Sequence, residues 1–219
     1  ARLLTKLRGF GVDDFRINLH HLPHVVERIF QAPLWDDLPV SFSYEKEILG
    51  TAGGLKANES FFDSGTFVMV NGKIVMDLPL EQAIAFHKER NALATLVLFP
   101  QPPPYRWFPV RIDEDYRLCN FKGAAEGGKP TPEAYVFTGI HIVEPEIFSF
   151  IPPGVFYEIN DQVYPAAMQS AKRVLGFPLE GYWQEPSNPD RYLETQRDLF
   201  MQSSDRASVH MPEDAMIDG

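Results

Sequence analysis

Three glycines fall within the stretch ILGTAGGL, at Gly50, Gly53 and Gly54, with Thr51 and Ala52 between them. A backbone without Cβ atoms lets N–H groups come close to a ligand. The spacing fits neither the dinucleotide fingerprint nor a Walker loop, because no Lys-Ser/Thr pair follows. A glycine-rich turn leading into a helix is the plain alternative, and spacing alone does not separate the two. Asn71 and Gly72 form a second candidate. They directly follow the apolar run TFVMV, as at the carboxyl ends of α/β strands, where ligands bind. No Ser-His-Asp or Cys-His constellation is evident. His20, His21 and His24 are close in sequence, but adjacent side chains diverge, so they read as loop and helix-start residues rather than metal ligands. Cys119 lies in the alternating segment YRLCN and reads as a buried structural thiol.

The elements that would position these residues alternate between strand and helix. Phe15, Ile17 and Leu19 alternate as a short strand. Pro23 opens a helix with Val25, Val26, Ile29 and Phe30 at helical spacing. VSFSY reads as the next strand, running into the glycines. TFVMV (66–70) is expected to be a central strand covered on both faces. Asp77 and Pro79 are expected to open a helix carrying Leu80, Ile84 and His87 on one stripe and ending near Lys88 and Arg90. LATLVLF (93–99) is a buried strand, and PVRID, YRLCN and YVFTGIHIV follow as strands. Between them PQPPPYRW reads as a rigid surface loop. Pro165 is expected to start a helix running to Leu175, and Asn188, Pro189 and Asp190 to start another for RYLETQRDLF. His87 and His141 read as hydrogen-bonded interior histidines. This order implies one α/β domain over residues 1–202 with a mixed sheet. Residues 203–219 form a polar tail, in which Met211, Ala215 and Ile217 have the spacing of a left-handed β-helix coil.

Composition narrows the partners. A net charge of −10 argues against nucleic acid, whose phosphates need a basic face. It does not exclude nucleotides, which local cations can neutralise. No apolar run reaches the ~18 residues of a membrane span. A lone cysteine leaves a reducing cytoplasm as the default compartment.

Four segments in order, SYEKEILGTAGG, FVMVNGKIVMDLPL, VFTGIHIVEPEIF and GYWQEPSNPDRYLETQRDLF, make the chain resemble the sugar-phosphate nucleotidyltransferases. It looks nearest to mannose-1-phosphate guanylyltransferase and glucose-1-phosphate nucleotidyltransferase proteins. The resemblance runs from about Leu7 to Phe200. It implies a Rossmann-like, glycosyltransferase-A-type mixed sheet flanked by helices in three layers. The implied reaction transfers a nucleotidyl group from a nucleoside triphosphate to a sugar 1-phosphate, with Mg²⁺ as the implied cofactor. The ionised sugar-phosphate oxygen attacks the α-phosphorus without a general base, so the protein's tasks are positioning and charge neutralisation. By this resemblance Gly50, Thr51, Ala52, Gly53, Gly54, Asn71 and Gly72 would bind the nucleotide. Thr138, Gly139 and Trp183 would bind the sugar, Lys122 (with Lys129 as competitor) would be the catalytic lysine, and Glu185 a metal ligand. A homo-oligomer is compatible with the family.

Three departures stand out. The family's N-terminal triphosphate loop is not among these residues, and the resemblance implies that it lies upstream of Ala1. Lys73 occupies the position of the usual metal-binding aspartate. At an effective dielectric of 20, a like charge ~4 Å from a cation costs about 4 kcal/mol. Glu185 is followed by proline, where relatives have an aspartate motif. The chain by itself is therefore expected to lack turnover, and the alternative reading is a silent homologue that binds or senses sugar nucleotides or supports a partner subunit. If Lys73 replaces the aspartate, its amine should point toward Glu185 and pair with it.

Overall fold

The computed structural model describes residues 2–202 except 33–34, 36–37, 78, 102 and 122–127. Lys122, the Asp36–Asp37 pair and the tail from residue 203 thus lie outside the described residues. Helix α1 (Arg2–Gly9) leads to strand β1 (Phe15–Leu19), helix α2 (Pro23–Phe30) and strand β2 (Val40–Tyr44). Then come α3 (Gly50–Lys56), the short α4 (Glu59–Phe62), β3 (Phe67–Val70), β4 (Val75–Asp77) and α5 (Leu80–Glu89). The second half contains β5 (Ala94–Pro100), β6 (Arg111–Ile112), β7 (Leu118–Asn120) and β8 (Tyr135–Val143). It ends with α6 (Tyr164–Gln169), β9 (Val174–Pro178), β10 (Tyr182–Gln184) and α7 (Pro189–Gln202).

The main sheet has the order β3-β8-β5-β9, with β8 antiparallel to both neighbours and β5 parallel to β9. Smaller ladders pair β1 with β2 in parallel and β4 with β10 antiparallel. The period of two along each strand divides the core. On β5, Ala94, Leu96 and Leu98 face one apolar layer with Ile147, Ile159, Tyr164 and Ala167. Val97 and Phe99 face the other, with Leu7, Leu80, Ala83 and Ile84. The result is the expected three-layer mixed-sheet α/β fold. Each fully buried Leu or Ile of β5 and β8 contributes about 1.5–3 kcal/mol through removal from water.

Several expectations are corrected. β3 stands at the edge of the four-stranded sheet and is only half-buried, so residues 66–70 are not the central strand. That place belongs to β5, buried from Ala94 through Leu98. Asp77 ends β4 and pairs with Lys6 at 2.7 Å instead of opening α5. The helix expected from Pro165 to Leu175 stops at Gln169, because Val174 and Leu175 pair with β5 as a strand. The glycines at 50, 53 and 54 are not a loop before a helix but lie in α3 itself. Cys119 is half-buried, and burial, followed by the nearby Asp113 charge, pushes its thiol pKa up. α7 begins as its sequence suggests: the Asn188 Oδ1 accepts the Arg191 backbone N–H at 2.9 Å.

Candidate functional site

The first group of candidate residues is the start of α3, beyond the carboxyl end of β2. Gly50 has φ +73, and a Cβ there would stand 2.6 Å from the Tyr157 carbonyl oxygen. At Gly53 it would stand 2.5 Å from the Val155 carbonyl oxygen. Both glycines therefore let residues 155–158 lie directly on the helix. The N–H groups of Ala52 and Gly53 donate to the Tyr157 carbonyl at 2.9 and 3.1 Å. The Thr51 hydroxyl donates to the Glu158 carboxylate at 2.7 Å and accepts the Ile159 N–H at 3.0 Å. A ligand approaching here meets the Thr51–Glu158 pair, not a ring of free N–H groups. Close packing on residues 155–158 accounts for Gly50 and Gly53, and two of the amides at the start of α3, those of Ala52 and Gly53, are taken by the Tyr157 carbonyl. Gly54 packs toward the side chains of Glu45 and Asn18, which bond each other at 2.9 Å.

The second group gathers from three segments. Asn71 leaves β3 with its N–H on the Gly139 carbonyl at 2.9 Å. Gly139 has φ +81, a conformation that favours glycine. Trp183, on β10, donates its Nε1–H to the Thr138 carbonyl at 3.0 Å. The β4–β10 register sets Gln184 opposite Val75, so Lys73 and Glu185 leave the ladder at the same end, Lys73 two residues before Val75 and Glu185 one after Gln184. Lys73 Nζ donates to Glu185 Oε1 at 3.1 Å, so the expected pairing of these two side chains is present. Glu185 is largely covered at 19% side-chain exposure, while Lys73 is open at 58%. Gly72 is exposed, and a Cβ there would meet nothing within 4 Å, so internal packing does not demand a glycine.

Two of the expected sugar contacts turn inward. The Thr138 hydroxyl is fully buried and donates to the Val97 carbonyl at 2.8 Å. Trp183 is 3% exposed, packed against Trp107 with ring centroids 5.1 Å apart. These side chains brace the 138–139 step, and Gly139 itself is buried beneath the Asn71 side chain. Lys129 is exposed.

Sequence reasoning missed the residues that support this arrangement. Gln101 is buried, and its Oε1 accepts the Arg106 and Trp107 N–H groups at 3.1 and 2.8 Å, closing the proline-rich loop. Arg106 and Arg191 lie over the Trp107 ring at 5.1 and 5.0 Å, and Arg106 also bonds Glu194 on α7. That bond holds the Glu194 carboxyl below its ordinary range. Glu158 is likewise absent from any motif; it is found only by where the chain returns.

His87 and His141 are hydrogen-bonded interior histidines, as expected. His87 Nδ1 meets the Thr95 hydroxyl at 2.9 Å and its Nε2 meets Glu144 at 3.0 Å. Burial lowers the His87 pKa, with Glu144 opposing. His141 Nδ1 meets the Tyr164 hydroxyl at 2.6 Å, and complete burial lowers its pKa to about 3. His20 Nδ1 bonds the Glu45 carbonyl at 2.9 Å.

A magnesium ion takes about six oxygen ligands. At Glu185 there is one carboxylate with an ammonium already on it. Asp77 is engaged by Lys6. Among the described residues no group of three or more His, Cys, Asp or Glu is placed to hold a metal ion. With Glu185 already paired to Lys73, the site does not supply the one or two free carboxylates through which Mg²⁺ is held, and in this arrangement it does not fit the ion.

The three-layer α/β sheet, with loops past the carboxyl ends of β2 and β3, places these residues where open α/β domains bind ligands. The chain belongs to the nucleotidyl transferase family, whose sequence profile matches residues 2–202. It is similar to a UTP–glucose-1-phosphate uridylyltransferase of Synechocystis, 28% identical over 96% of this chain and 57% of that protein. It is also similar to a mannose-1-phosphate guanylyltransferase of Mycobacterium tuberculosis, 24% identical over 91% of this chain and 55% of that one. The chain thus spans about half the length of these curated relatives. In fold it resembles the crystal structure of HddC from Yersinia pseudotuberculosis complexed with GMP-PN. The TM-score is 0.75 at 18% identity, covering 90% of this chain and 84% of that one. Among the described residues no helix is long and apolar enough to cross a membrane.

Proposed function

We propose that this chain is the nucleotide-sugar-handling core of a sugar-1-phosphate nucleotidyltransferase. The reaction is attack of an ionised sugar-1-phosphate oxygen on the α-phosphorus of a nucleoside triphosphate. The bond from the α-phosphorus to the bridging oxygen breaks, and pyrophosphate leaves with its charge. The observation that carries the reading is the family match over residues 2–202, together with the Asn71–Gly139 and Lys73–Glu185 pairs, which join the segment before β4 to β8 and to the end of β10. In this reading Asn71 and Gly72 face the nucleotide, Gly139 the sugar, and Lys73 with Glu185 the phosphates. Lys122 remains the proposed lysine for the transferring phosphate. Thr51, with Glu158, lies at the nucleotide end. The cytoplasm, where nucleoside triphosphates and sugar phosphates are found, is the proposed compartment.

Product binding tests this before turnover does. UDP-glucose or GDP-mannose is expected to raise the melting temperature of the chain, and the ligand that does so names the base and sugar. Pyrophosphate release from the matching triphosphate and sugar 1-phosphate is expected to be slow for the chain alone, given Lys73 at Glu185. A chain that binds no nucleotide sugar, tested also with ADP- and dTDP-sugars, overturns the reading.

A further inference from the structure

We infer that Lys73 is the resident cation of this site, and that the diphosphate of a nucleotide sugar binds beside it without a divalent metal ion. The inference rests on the function proposed above and specifies how that site neutralises phosphate charge. An ammonium held by one carboxylate has the same net charge, zero, as a divalent ion held by two. Replacing the ion by the Lys73–Glu185 pair therefore leaves the local charge unchanged while removing the need for metal.

The geometry suits this exchange. Glu185 is the covered partner and is fixed in place by the β4–β10 register, with the Trp183 indole anchored on the Thr138 carbonyl two residues before it. Lys73 is the exposed partner, extending from a turn at Gly72 where nothing crowds the backbone. An ammonium carries three donors. One is directed at Glu185, and the open side of Nζ leaves the others for phosphate oxygens. A divalent ion arriving at Glu185 would have to displace this amine and would find no second carboxylate there, since Asp77 is engaged by Lys6. Gly72, next to Lys73 in the chain, is exposed with open space where a side chain would stand, so nothing at that position excludes a ligand from the lysine.

The experiment is calorimetric titration of the chain with UDP-glucose and GDP-mannose, each with Mg²⁺ and with EDTA. The affinity is expected to be the same in both conditions within about twofold. Lys73→Met is expected to weaken binding about tenfold in both, and Lys73→Arg to retain most of it. Lys73→Asp, which sets a second carboxylate beside Glu185, is expected to bind at least about tenfold better with Mg²⁺ than with EDTA. Melting temperatures of the three variants confirm that this exposed position leaves the fold intact. Loss of wild-type binding in EDTA, or full affinity in Lys73→Met, overturns the role of Lys73 while leaving the proposed function standing. Absence of binding in every condition overturns both.

Discussion

The side-chain amide of Asn71 lies directly over Gly139, so that a Cβ added to the glycine would come within 2.5 Å of Asn71 Nδ2. The same two residues share a backbone hydrogen bond of 2.9 Å. Gly139→Ala must therefore hold alanine at a positive φ and also push the asparagine away. We expect a loss of about 1–3 kcal/mol in urea unfolding, with weakened nucleotide-sugar binding. Gly72→Ala, in open space, should stay within about 0.5 kcal/mol of wild type. If Gly72→Ala nonetheless binds ligand poorly, the requirement at 72 comes from the ligand.

His141 gives stability a defined acid limb. Its folded pKa, about 3, lies below the ordinary histidine value because of burial. Between those two values the unfolded chain binds a proton that the folded chain does not, so stability falls as pH drops through that window. One fully buried histidine amounts to about 2 kcal/mol lost between pH 7 and pH 5. His87, also lowered by burial, adds in the same direction. Unfolding curves at the two pH values for wild type and His141→Gln test this. An unchanged acid slope in the variant would mean that other groups set it.

Trp183→Phe keeps the ring packing but leaves the buried Thr138 carbonyl without its indole donor. The expected cost is about 1–3 kcal/mol, measured by chemical denaturation. Affinity should drop as well, because the step from Thr138 to Gly139 loses its brace. A variant that is destabilised yet binds normally would separate the fold from the site.

At the other candidate group, Gly53→Ala drives a Cβ into the Val155 backbone carbonyl, which cannot rotate away as a side chain can. Residues 155–158 should lift from α3 and take Glu158 from Thr51. We expect at least about 2 kcal/mol of destabilisation and faster proteolysis of this segment. Thr51→Val, which removes only the hydroxyl, should cost about 1 kcal/mol. Equal stability of Gly53→Ala and wild type would contradict the close packing.

Much of this was legible in the sequence where a pattern ran long enough to have a period. β1, β2, β5 and β8 follow alternation or apolar runs, α2, α5 and α7 follow prolines at their starts, and α7 also has a capping asparagine. Strands of three residues, β4 and β10, carry no period to read, yet they create the meeting of Lys73 and Glu185. That pair could be anticipated only because motif order placed both residues at one site. β9 was hidden because Val174 and Leu175 continue the apolar spacing of α6; their pairing with β5 is a long-range contact that local propensity does not report. The inward turn of Thr138 and Trp183 was invisible for the same reason. Each is polar at one end and apolar at the other, and only the partners, Val97 and Trp107, decide which end faces out.

The bracing of Trp183 by Trp107 also gives the protein an optical signal of its own. Two of its three tryptophans stand 5.1 Å apart, one of them bonded to the residue next to Gly139. Indoles this close couple electronically, so near-ultraviolet circular dichroism should carry a paired signature that changes when a ligand shifts the 138–139 backbone. The third, Trp35, packs against Phe30 beside the β1–β2 ladder. Replacing it with phenylalanine would leave emission from Trp107 and Trp183 alone, so occupancy could be followed without a label. Because Arg191 of α7 covers Trp107, the same signal would also report when the last helix detaches.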